Sequence, residues 1–388
     1  MEHQLDALAR AVARCPGAEA ARAPRCVGCD ELGALDAAAE EGPILLRGYG
    51  VALIPRRVAT PGMAAVLAAE EGVEEARPEF FLYAMASPAP ATEAGFADDA
   101  LRTWGVAAVG ADASALTGAG VRLAVLDTGL DAGHPDFAGR LVVAQGFVAG
   151  QGTGDVQGHG THCAGTAAGP VARGGRPRYG VAPEAILHVA KVLGDDGVGR
   201  EGDIVAGMAW AVERGCEVIS MSLGRATQPG ESPSLVYERL GRRALERGSL
   251  ILAAAGNESA RRFGHVAPVG APANSPSILA VGALDPSLGV APFSNGGIDA
   301  GGGEVDIAAP GVDVFSSVPR PRLYQRLSGT SMACPHAAGV AALLAQSDPT
   351  LRGLRLWRAL LDAAEALALP ARDAGAGLAR VPAAAPGV

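Results

Sequence analysis

Short apolar runs alternate with longer amphipathic segments through most of the chain after Trp104. Segments with helical periodicity lie between the runs, notably residues 201–215 and 235–248. This alternation predicts an α/β domain with a doubly wound, mostly parallel sheet and helices on both faces. The runs continuous enough to be buried strands are residues 121–127, 186–193, 217–223, 249–257 and 277–284.

The first hundred residues follow a different pattern. Residues 1–45 resemble an amphipathic helix followed by turns, with no recognisable chemistry. Residues 46–88 combine a strand-like run, a helix that begins near Thr60 and a second strand-like run, which predicts a small α+β unit. Residues 89–103 have the composition of a linker. The predicted domain organisation is therefore an extension at 1–45, an α+β region at 46–88, a linker at 89–103 and the doubly wound domain at 104–388.

Composition narrows the classes of function. A chain of 388 residues that is 49% hydrophobic can bury a large core. The net charge of -9 argues against a nucleic-acid partner, which would normally require a basic face. No basic start with an apolar core opens the chain and no long apolar run follows, so we expect no membrane partner and a cytoplasmic protein as written, with secretion by another route left open.

The six cysteines are too few and too scattered to predict a disulfide framework. Cys26 and Cys29 have the spacing of half a zinc site, but no second pair completes four ligands, so free thiols are favoured. Gly197 to Gly202 reads GVGREG, which matches a dinucleotide-binding pattern. No acidic residue ends the next strand to hold a ribose, so a glycine-rich edge that another backbone approaches closely is the better interpretation.

Polar residues follow several of the predicted strands, where ligands of such folds bind. Asp127 ends one strand, and its carboxylate needs a partner in the Thr128-Gly129 turn or an imidazole. The stretch GHGTH supplies His159 and His162. Ser331, in GTSMACPH, is either a helix cap or a nucleophile at a helix N-terminus.

The stretches LDTG, GHGTH and GTSMACPH, together with AAAGNES, resemble the subtilisin-like (subtilase) serine peptidases in the chain order Asp, His, Ser. The resemblance covers residues 104 to the carboxyl end. It implies a serine endopeptidase, a hydrolase whose triad is Asp127, His159 and Ser331. Asn257 would be the side-chain donor to the oxyanion, and His162 would be a structural neighbour.

The resemblance also implies where substrate binds. A peptide would add as a third strand between two segments, and small residues would line the first specificity pocket. The implied substrate-binding residues are Gly197, Val198 and Gly199 on one side, Ser222, Leu223 and Gly224 on the other, and Ala254, Ala255, Gly256 and Gly270 around the pocket. Such small walls favour a bulky apolar side chain.

Residues 46–88 resemble, more faintly, the prosegment that many subtilases carry as a folding aid and temporary inhibitor. The chain would then be a zymogen, inhibited by its own N-terminal segment until it cleaves the linker between Ser87 and Asp99. The alternatives are a peptidase dedicated to one precursor and a peptide-binding scaffold without general proteolysis. Cys163 and Cys334 lie close to catalytic positions, and small buried thiols are favoured there.

Triad chemistry requires no cofactor, and we expect no metal among the site residues. Family members often hold a structural calcium in a loop after the histidine helix, assisted by the aspartate of HPD, here Asp136. In this chain the loop carries Arg173, Arg176 and Arg178 and no carboxylate or amide. Because calcium takes oxygen ligands, we expect that site to be lost.

Overall fold

A computed structural model describes most of the chain. The described residues are 2–14, 23–27, 42–46, 48–55, 59–60, 62–86, 95–171, 175–299 and 303–382. Cys29, Arg173 and residues 87–94 of the predicted linker lie outside them.

The larger part of the fold is built on a sheet of seven parallel strands, in the order Ile307–Pro310, Leu279–Leu284, Leu250–Ala254, Val218–Met221, Arg122–Asp127, Ile186–Lys191 and Val142–Gly146. The N-terminal region contains two helices and four short strands among its described residues. The strands are β1 (Arg25–Val27), β2 (Ile44–Leu46), β3 (Val51–Leu53), β4 (Phe81–Ala84), β5 (Arg122–Asp127), β6 (Val142–Gly146), β7 (Ile186–Lys191), β8 (Val198–Arg200), β9 (Val218–Met221), β10 (Leu223–Gly224), β11 (Leu250–Ala254), β12 (Leu279–Leu284), β13 (Ile307–Pro310), β14 (Val314–Ser317) and β15 (Tyr324–Leu327). The helices are α1 (Glu2–Ala13), α2 (Met63–Ala68), α3 (Trp104–Ala108), α4 (His159–Ala168), α5 (Glu201–Glu213), α6 (Leu235–Glu246), α7 (Thr330–Ser347), α8 (Leu354–Asp362) and α9 (Ala371–Ala374), with a 3-10 turn at Arg261–Phe263.

Helices cover both faces of this sheet, as the alternating pattern predicts. One buried cluster packs α4, α7 and α8 against one face, and the other packs α5 and α6 against the opposite face. All five predicted strands are present within a few residues of their expected bounds. The doubly wound α/β prediction is confirmed. Nearly every residue of α5 is buried, and Gly207 allows this helix to approach the sheet, because a Cβ there would lie 2.4 Å from Val192 Cγ1.

The N-terminal region packs against the α5 side of the large sheet. Strand β2 pairs with both β1 and β3 in a small sheet. Its apolar side chains, with Leu82 of β4, join the buried cluster that contains Trp210. Strand β4 does not belong to this small sheet and forms a separate three-stranded sheet with β8 and β10 of the larger unit.

An extended run between α2 and β4 attaches the N-terminal region to two helices. The carboxylate of Glu79 accepts a hydrogen bond from the Gly202 amide at the start of α5, at 3.0 Å, and that of Glu75 accepts one from the Leu235 amide at the start of α6, at 2.9 Å. Arg77, between them, donates to both oxygens of Glu201 at 2.6 and 2.8 Å. Free amides and the dipole at a helix N-terminus favour carboxylates, so these contacts stabilise the docked segment. None of the helices in the described part of the chain is long and apolar enough to span a membrane.

Candidate active site

Three strands of the large sheet end side by side and carry candidate residues. Asp127 is the last residue of β5, Ser222 directly follows β9, and Asn257 comes three residues after β11. Strand β9 pairs with both β5 and β11. The parallel topology therefore places these three side chains at one edge of the sheet, as the strand-end argument predicts.

Asp127 and His159 form a buried pair. The Nδ1 atom of His159 lies 2.9 and 3.0 Å from the two carboxylate oxygens of Asp127. The Thr128 amide also donates to Asp127, at 2.7 Å, so both partners that the sequence left open are present. Gly160 permits this arrangement: a Cβ there would lie 2.3 Å from the Gly129 carbonyl oxygen, so a larger residue would push α4 away from β5.

Asp155 is a buried residue that no motif in the sequence singles out. Its carboxylate accepts hydrogen bonds from the Thr128 hydroxyl at 2.9 Å, the Gly158 amide at 2.8 Å, and the Thr161 amide and hydroxyl at 2.8 and 2.6 Å. Burial nevertheless raises the pKa of Asp155. Asp155 thus ties the loop after β5 to the first turn of α4. An acidic residue just ahead of a predicted helix start is the signal that could have identified it.

The two histidines of α4 have opposite electrostatic environments. Burial alone would lower the pKa of His159, but the charge of Asp127 outweighs it and raises that pKa well above its ordinary value. Burial lowers the pKa of His162 to about 3, and its Nε2 donates to the Val314 carbonyl at 3.0 Å. His162 is therefore neutral and holds β14, which agrees with a structural position. Of the two histidines, only His159 contacts the Asp127 carboxylate.

Ser331 lies in the first turn of α7 and is fully buried. Its hydroxyl donates to the Ser222 carbonyl at 3.0 Å, and the Ser222 hydroxyl donates to the Ser331 carbonyl at 2.8 Å. The Nε2 atom of His159 is buried and has no hydrogen-bond partner among the described residues. Cys163 Sγ lies 3.8 Å from His159 Nδ1 and 3.5 Å from the Ser331 carbonyl oxygen, so the three residues are neighbours. A hydrogen bond from the serine to the imidazole is absent in this conformation of the described site.

The Asn257 side chain is oriented by Thr330. Its Oδ1 accepts hydrogen bonds from the Thr330 amide and hydroxyl, both at 2.9 Å. Its Nδ2 is consequently turned the other way and is buried without a partner among the described residues. An amide donor held with no acceptor is what an oxyanion site requires.

The segments predicted to hold a peptide do hold one, and it is the chain's own β4. Leu82 and Tyr83 pair with Gly199 and Val198 of β8, and the Ala84 amide donates to the Gly197 carbonyl at 3.0 Å. On the other side, Tyr83 and Ala84 pair with Gly224 and Leu223 of β10. Both pairings are antiparallel. The GVGREG stretch therefore does serve as an edge for another backbone, as predicted.

Met85 follows β4 and lies at the centre of the site. Its Cε and Sδ are 3.1 and 3.3 Å from the position that a Cβ of Gly224 would take. Its carbonyl oxygen is 2.7 Å, and Asn257 Nδ2 is 3.2 Å, from the position of a Cβ on Gly329. The Met85 carbonyl and the unpartnered amide of Asn257 therefore face the same small space.

The remaining pocket candidates are connected to one another and to the site. Met85 and Ala254 belong to one buried cluster. The Gly270 amide donates to the Ala255 carbonyl at 2.9 Å, and the Gly256 amide donates to the Thr330 hydroxyl at 3.2 Å. The structure thus places the predicted residues of β8 and β10 directly against the bound segment and connects Gly256 to the first turn of α7 through Thr330.

The thiols near the site are buried, as favoured from the sequence. Burial raises the pKa of Cys163, and raises that of Cys334 to about 12, so both are protonated and weakly reactive at neutral pH. Asp127, His159 and Cys163 bring one ligand atom each within 4.8 Å of one another, a spacing that a metal could use. The Asp127 carboxylate, however, already accepts hydrogen bonds from His159 Nδ1 and the Thr128 amide.

Asp136, the residue expected near a calcium site, has other partners. Its Oδ2 accepts hydrogen bonds from the hydroxyls of Tyr179 at 2.5 Å and Tyr324 at 2.8 Å. The guanidinium of Arg176 lies over the Tyr324 ring, 4.6 Å from its centroid. The described part of the adjacent loop, residues 175–179, offers no carboxylate or amide side chain. A cation here would have to displace two tyrosines beside an arginine, so these residues fit calcium poorly.

Comparison with known proteins gives concordant matches. A family model described as "Subtilase family" matches residues 118–378. Subtilisin BL from Lederbergia lenta is 40% identical over 268 residues, which cover 68% of this chain and 91% of that protein. M-protease from Shouchella clausii (strain KSM-K16) is 40% identical over 268 residues, or 65% of its length. Subtilisin E from Bacillus subtilis (strain 168) is 39% identical over 236 residues, which cover 60% of this chain and 58% of that protein.

Proposed function

Because the chain belongs to the subtilase family and is a serine endopeptidase, we propose that Asp127, His159 and Ser331 are its catalytic triad and that its N-terminal segment is its first substrate and then its inhibitor. The observation that carries this proposal is β4. It lies between β8 and β10 with the Met85 carbonyl beside Asn257. A substrate would bind there in the same way, by adding a strand.

The proposed roles follow from the geometry of the residues. His159, oriented by Asp127 through Nδ1, has Nε2 free to accept the Ser331 proton, while the Ser331 oxygen attacks the carbonyl carbon. Ser331 must first rotate away from the Ser222 carbonyl. The negative charge that develops on the carbonyl oxygen is then stabilised by Asn257 Nδ2 and the Ser331 amide.

The second half of the reaction uses the same groups in reverse. His159 returns the proton to the leaving amine, and the acyl group stays on Ser331. Water, deprotonated by His159, then attacks the acyl-enzyme and releases the new carboxylate. These steps require no cofactor, as is general in the family. We further propose that the chain has lost the calcium site near Asp136, because tyrosine hydroxyls occupy the carboxylate.

The register of β4 selects one peptide bond for the first cleavage. Met85 is the residue whose carbonyl lies beside Asn257, so we propose that the bond between Met85 and Ala86 is cut. This bond lies just ahead of residues 87–99, the linker in which the resemblance to a prosegment implies cleavage. The contacts of Glu75, Arg77 and Glu79 with α5 and α6 would keep the cut segment bound as an inhibitor.

The test compares the full chain with its Ser331→Ala variant. Intact mass and casein digestion are followed over time after purification. We expect only the unchanged chain to split into residues 1–85 and 86–388 and afterwards to digest casein. Adding processed enzyme to intact Ser331→Ala chain shows whether the cut can also be made between molecules.

Three other outcomes would change the proposal. A cut within residues 87–99 instead would overturn the assignment of the Met85-Ala86 bond but keep the inhibitor role of the N-terminal segment. A chain that splits but leaves casein intact would favour a peptidase dedicated to one precursor. If both chains stay whole and casein survives, the proposed self-processing fails and a peptide-binding role becomes the better interpretation.

A further inference from the structure

Phe80, the residue just before β4, is also held in the cleft by hydrogen bonds of its backbone. Its amide donates to the Glu201 carboxylate at 3.1 Å, and its carbonyl accepts from the Glu201 amide at 3.0 Å. Counted back from the Met85-Ala86 bond, Phe80 is the sixth residue. The cleft therefore fixes the backbone of a bound peptide two residues beyond Leu82.

Side chains along this stretch alternate in direction. Phe81 and Tyr83 are 54% and 49% exposed, whereas Leu82 is fully buried and Phe80 is half-buried. The period of two that strands impose sends the fourth and sixth side chains toward the protein. The sixth position is thus a place where the enzyme can distinguish one side chain from another.

Arg225 provides the surface that meets this sixth side chain. Its guanidinium carbon lies 3.9 Å from the centroid of the Phe80 ring. Arg77 also lies over this ring, at 4.4 Å, but it belongs to the N-terminal segment and would leave with it. Arg225 directly follows β10 and belongs to the catalytic part of the chain, so it remains for the next peptide.

The Arg225 side chain is held in place independently of Phe80. Its backbone exchanges hydrogen bonds with Ala271 at 2.9 and 3.1 Å, and its guanidinium is bound by the Glu231 carboxylate and the Ala226 carbonyl, the latter at 2.9 Å. The side chain is only 16% exposed with the segment bound. Release of the segment would uncover the guanidinium face while Glu231 keeps its edge occupied.

This environment favours an aromatic ring over an acidic group. The charge of Arg225 is already paired with Glu231, so a substrate carboxylate would approach both charges at once. A ring requires only the flat face of the guanidinium, where its negative quadrupole is attracted to the cation. The contact needs no displacement of Glu231.

We propose that Arg225 is a specificity-determining residue that selects substrates with an aromatic side chain six residues ahead of the cleaved bond. This inference rests on the proposed function, because it takes the register of β4 as the register of a substrate. It assigns Arg225 no part in the chemical steps.

The experiment uses the full chain after it has processed itself and two matched peptides of residues 80–90. One peptide has phenylalanine at the sixth position, and the other has cyclohexylalanine, which is slightly larger and at least as apolar but lacks the aromatic face. We expect kcat/KM to favour phenylalanine by about threefold to thirtyfold, the range of a cation-aromatic contact. In Arg225→Ala this preference should fall to near one. Arg225→Lys, which keeps the charge but not the flat group, should lie between them.

A second peptide pair serves as the control. Replacing the fifth residue, which corresponds to the exposed Phe81, with alanine should change kcat/KM by less than the sixth-position change and equally in both enzymes. A preference for phenylalanine that is absent, or that survives unchanged in Arg225→Ala, would overturn the inference while cleavage at Met-Ala still supports the proposed function. Failure of the chain to process itself, or a cut at another bond of the peptides, would overturn the register and the inference with it.

Discussion

At the scale of single residues, the side chain of Asn257, the proposed oxyanion donor, is already oriented before a negative charge forms on the substrate. Thr330 holds Oδ1, so Nδ2 points toward the Met85 carbonyl before any reaction begins. Preorganisation of this kind avoids the cost of reorienting a dipole as the charge forms.

We predict that Asn257→Leu, which keeps the size of the side chain but removes the donor, lowers kcat with little change in KM. The expected loss is about 100-fold to 1,000-fold, the usual effect of removing one donor from an oxyanion site. Steady-state kinetics on a fluorogenic peptide would measure it. Thr330→Val is the control, because the Thr330 amide still holds Oδ1, and it should cost much less. Equal losses in both variants would contradict the role assigned to Nδ2.

The raised pKa of His159 leads to a second prediction. A general base works only when unprotonated, so activity should appear as the pH rises through the pKa of His159, which the carboxylate of Asp127 keeps above about 6.5. Asp127→Asn should move the acid limb of kcat/KM to lower pH and reduce kcat by about 10,000-fold. Full pH profiles of the processed enzymes would show this. An acid limb that stays in place after the substitution would contradict the assignment of that limb to His159.

Sequence reasoning reached these residues because each stands in a short motif. Asp127, His159, Asn257 and Ser331 could be placed at strand ends or helix starts from local pattern alone. For Asp155, local pattern could indicate only an acidic residue ahead of a helix start. Its bond to Thr128 could not be foreseen, because it joins two segments, β5 and α4, that only folding brings together. The bond from Ser331 to Ser222 could not be foreseen for the same reason.

At the scale of elements, β4 is the strand whose environment its own sequence does not specify. Its apolar residues predict a strand, but nothing local says which sheet it joins. Its partners lie more than a hundred residues away, in β8 and β10. The residues of those partners were expected to receive a peptide, and residues 46–88 were expected to act as an inhibitor. The sequence therefore predicted the cleft and the region that supplies an inhibitor, but not which strand enters the cleft or in which register.

Two carboxylates should decide how firmly that occupant is held. We predict that replacing both Glu75 and Glu79 with alanine shortens the lag before casein digestion, because each loses a helix-terminus contact that contributes about 0.5–2 kcal/mol. Glu74→Ala is the matched control, since the Glu74 pair with Arg239 is exposed and contributes little. An unchanged lag in the double variant would show that the segment is retained by other contacts. The yield of soluble Ser331→Ala chain with the same changes separates weaker docking from poor folding.

At the scale of the whole molecule, the confirmed fold and family could be predicted because the sequence pattern extends over most of the chain. Buried parallel strands are continuously apolar, and the alternation with helices persists over the whole larger unit, so the signal is strong. The division at residues 45, 88 and 103 stays a prediction, since composition marks a linker only approximately.

The proposed loss of the calcium site near Asp136 can be tested through the stability of the whole molecule. We predict that EDTA leaves the thermal midpoint of the Ser331→Ala chain unchanged. Tyr179→Phe should lower its free energy of unfolding by about 1–3 kcal/mol, since a buried carboxylate loses a donor. Tyr324→Phe, at a less buried position with the longer bond, should cost less. A midpoint that falls in EDTA and recovers with added calcium would contradict the proposed loss of the site.

The position of β4 in the cleft has a consequence for how activity depends on amount. Before the proposed cut, the N-terminal segment is tethered to the enzyme, and dilution cannot remove it. After the proposed cut, each enzyme molecule would coexist with one equivalent of its own inhibitor, and their association would become bimolecular. The free fraction of enzyme then grows as the solution is diluted, so activity per molecule should rise at low concentration until the released segments are themselves digested. A high local concentration would therefore keep the enzyme inhibited, and dilution would make it active.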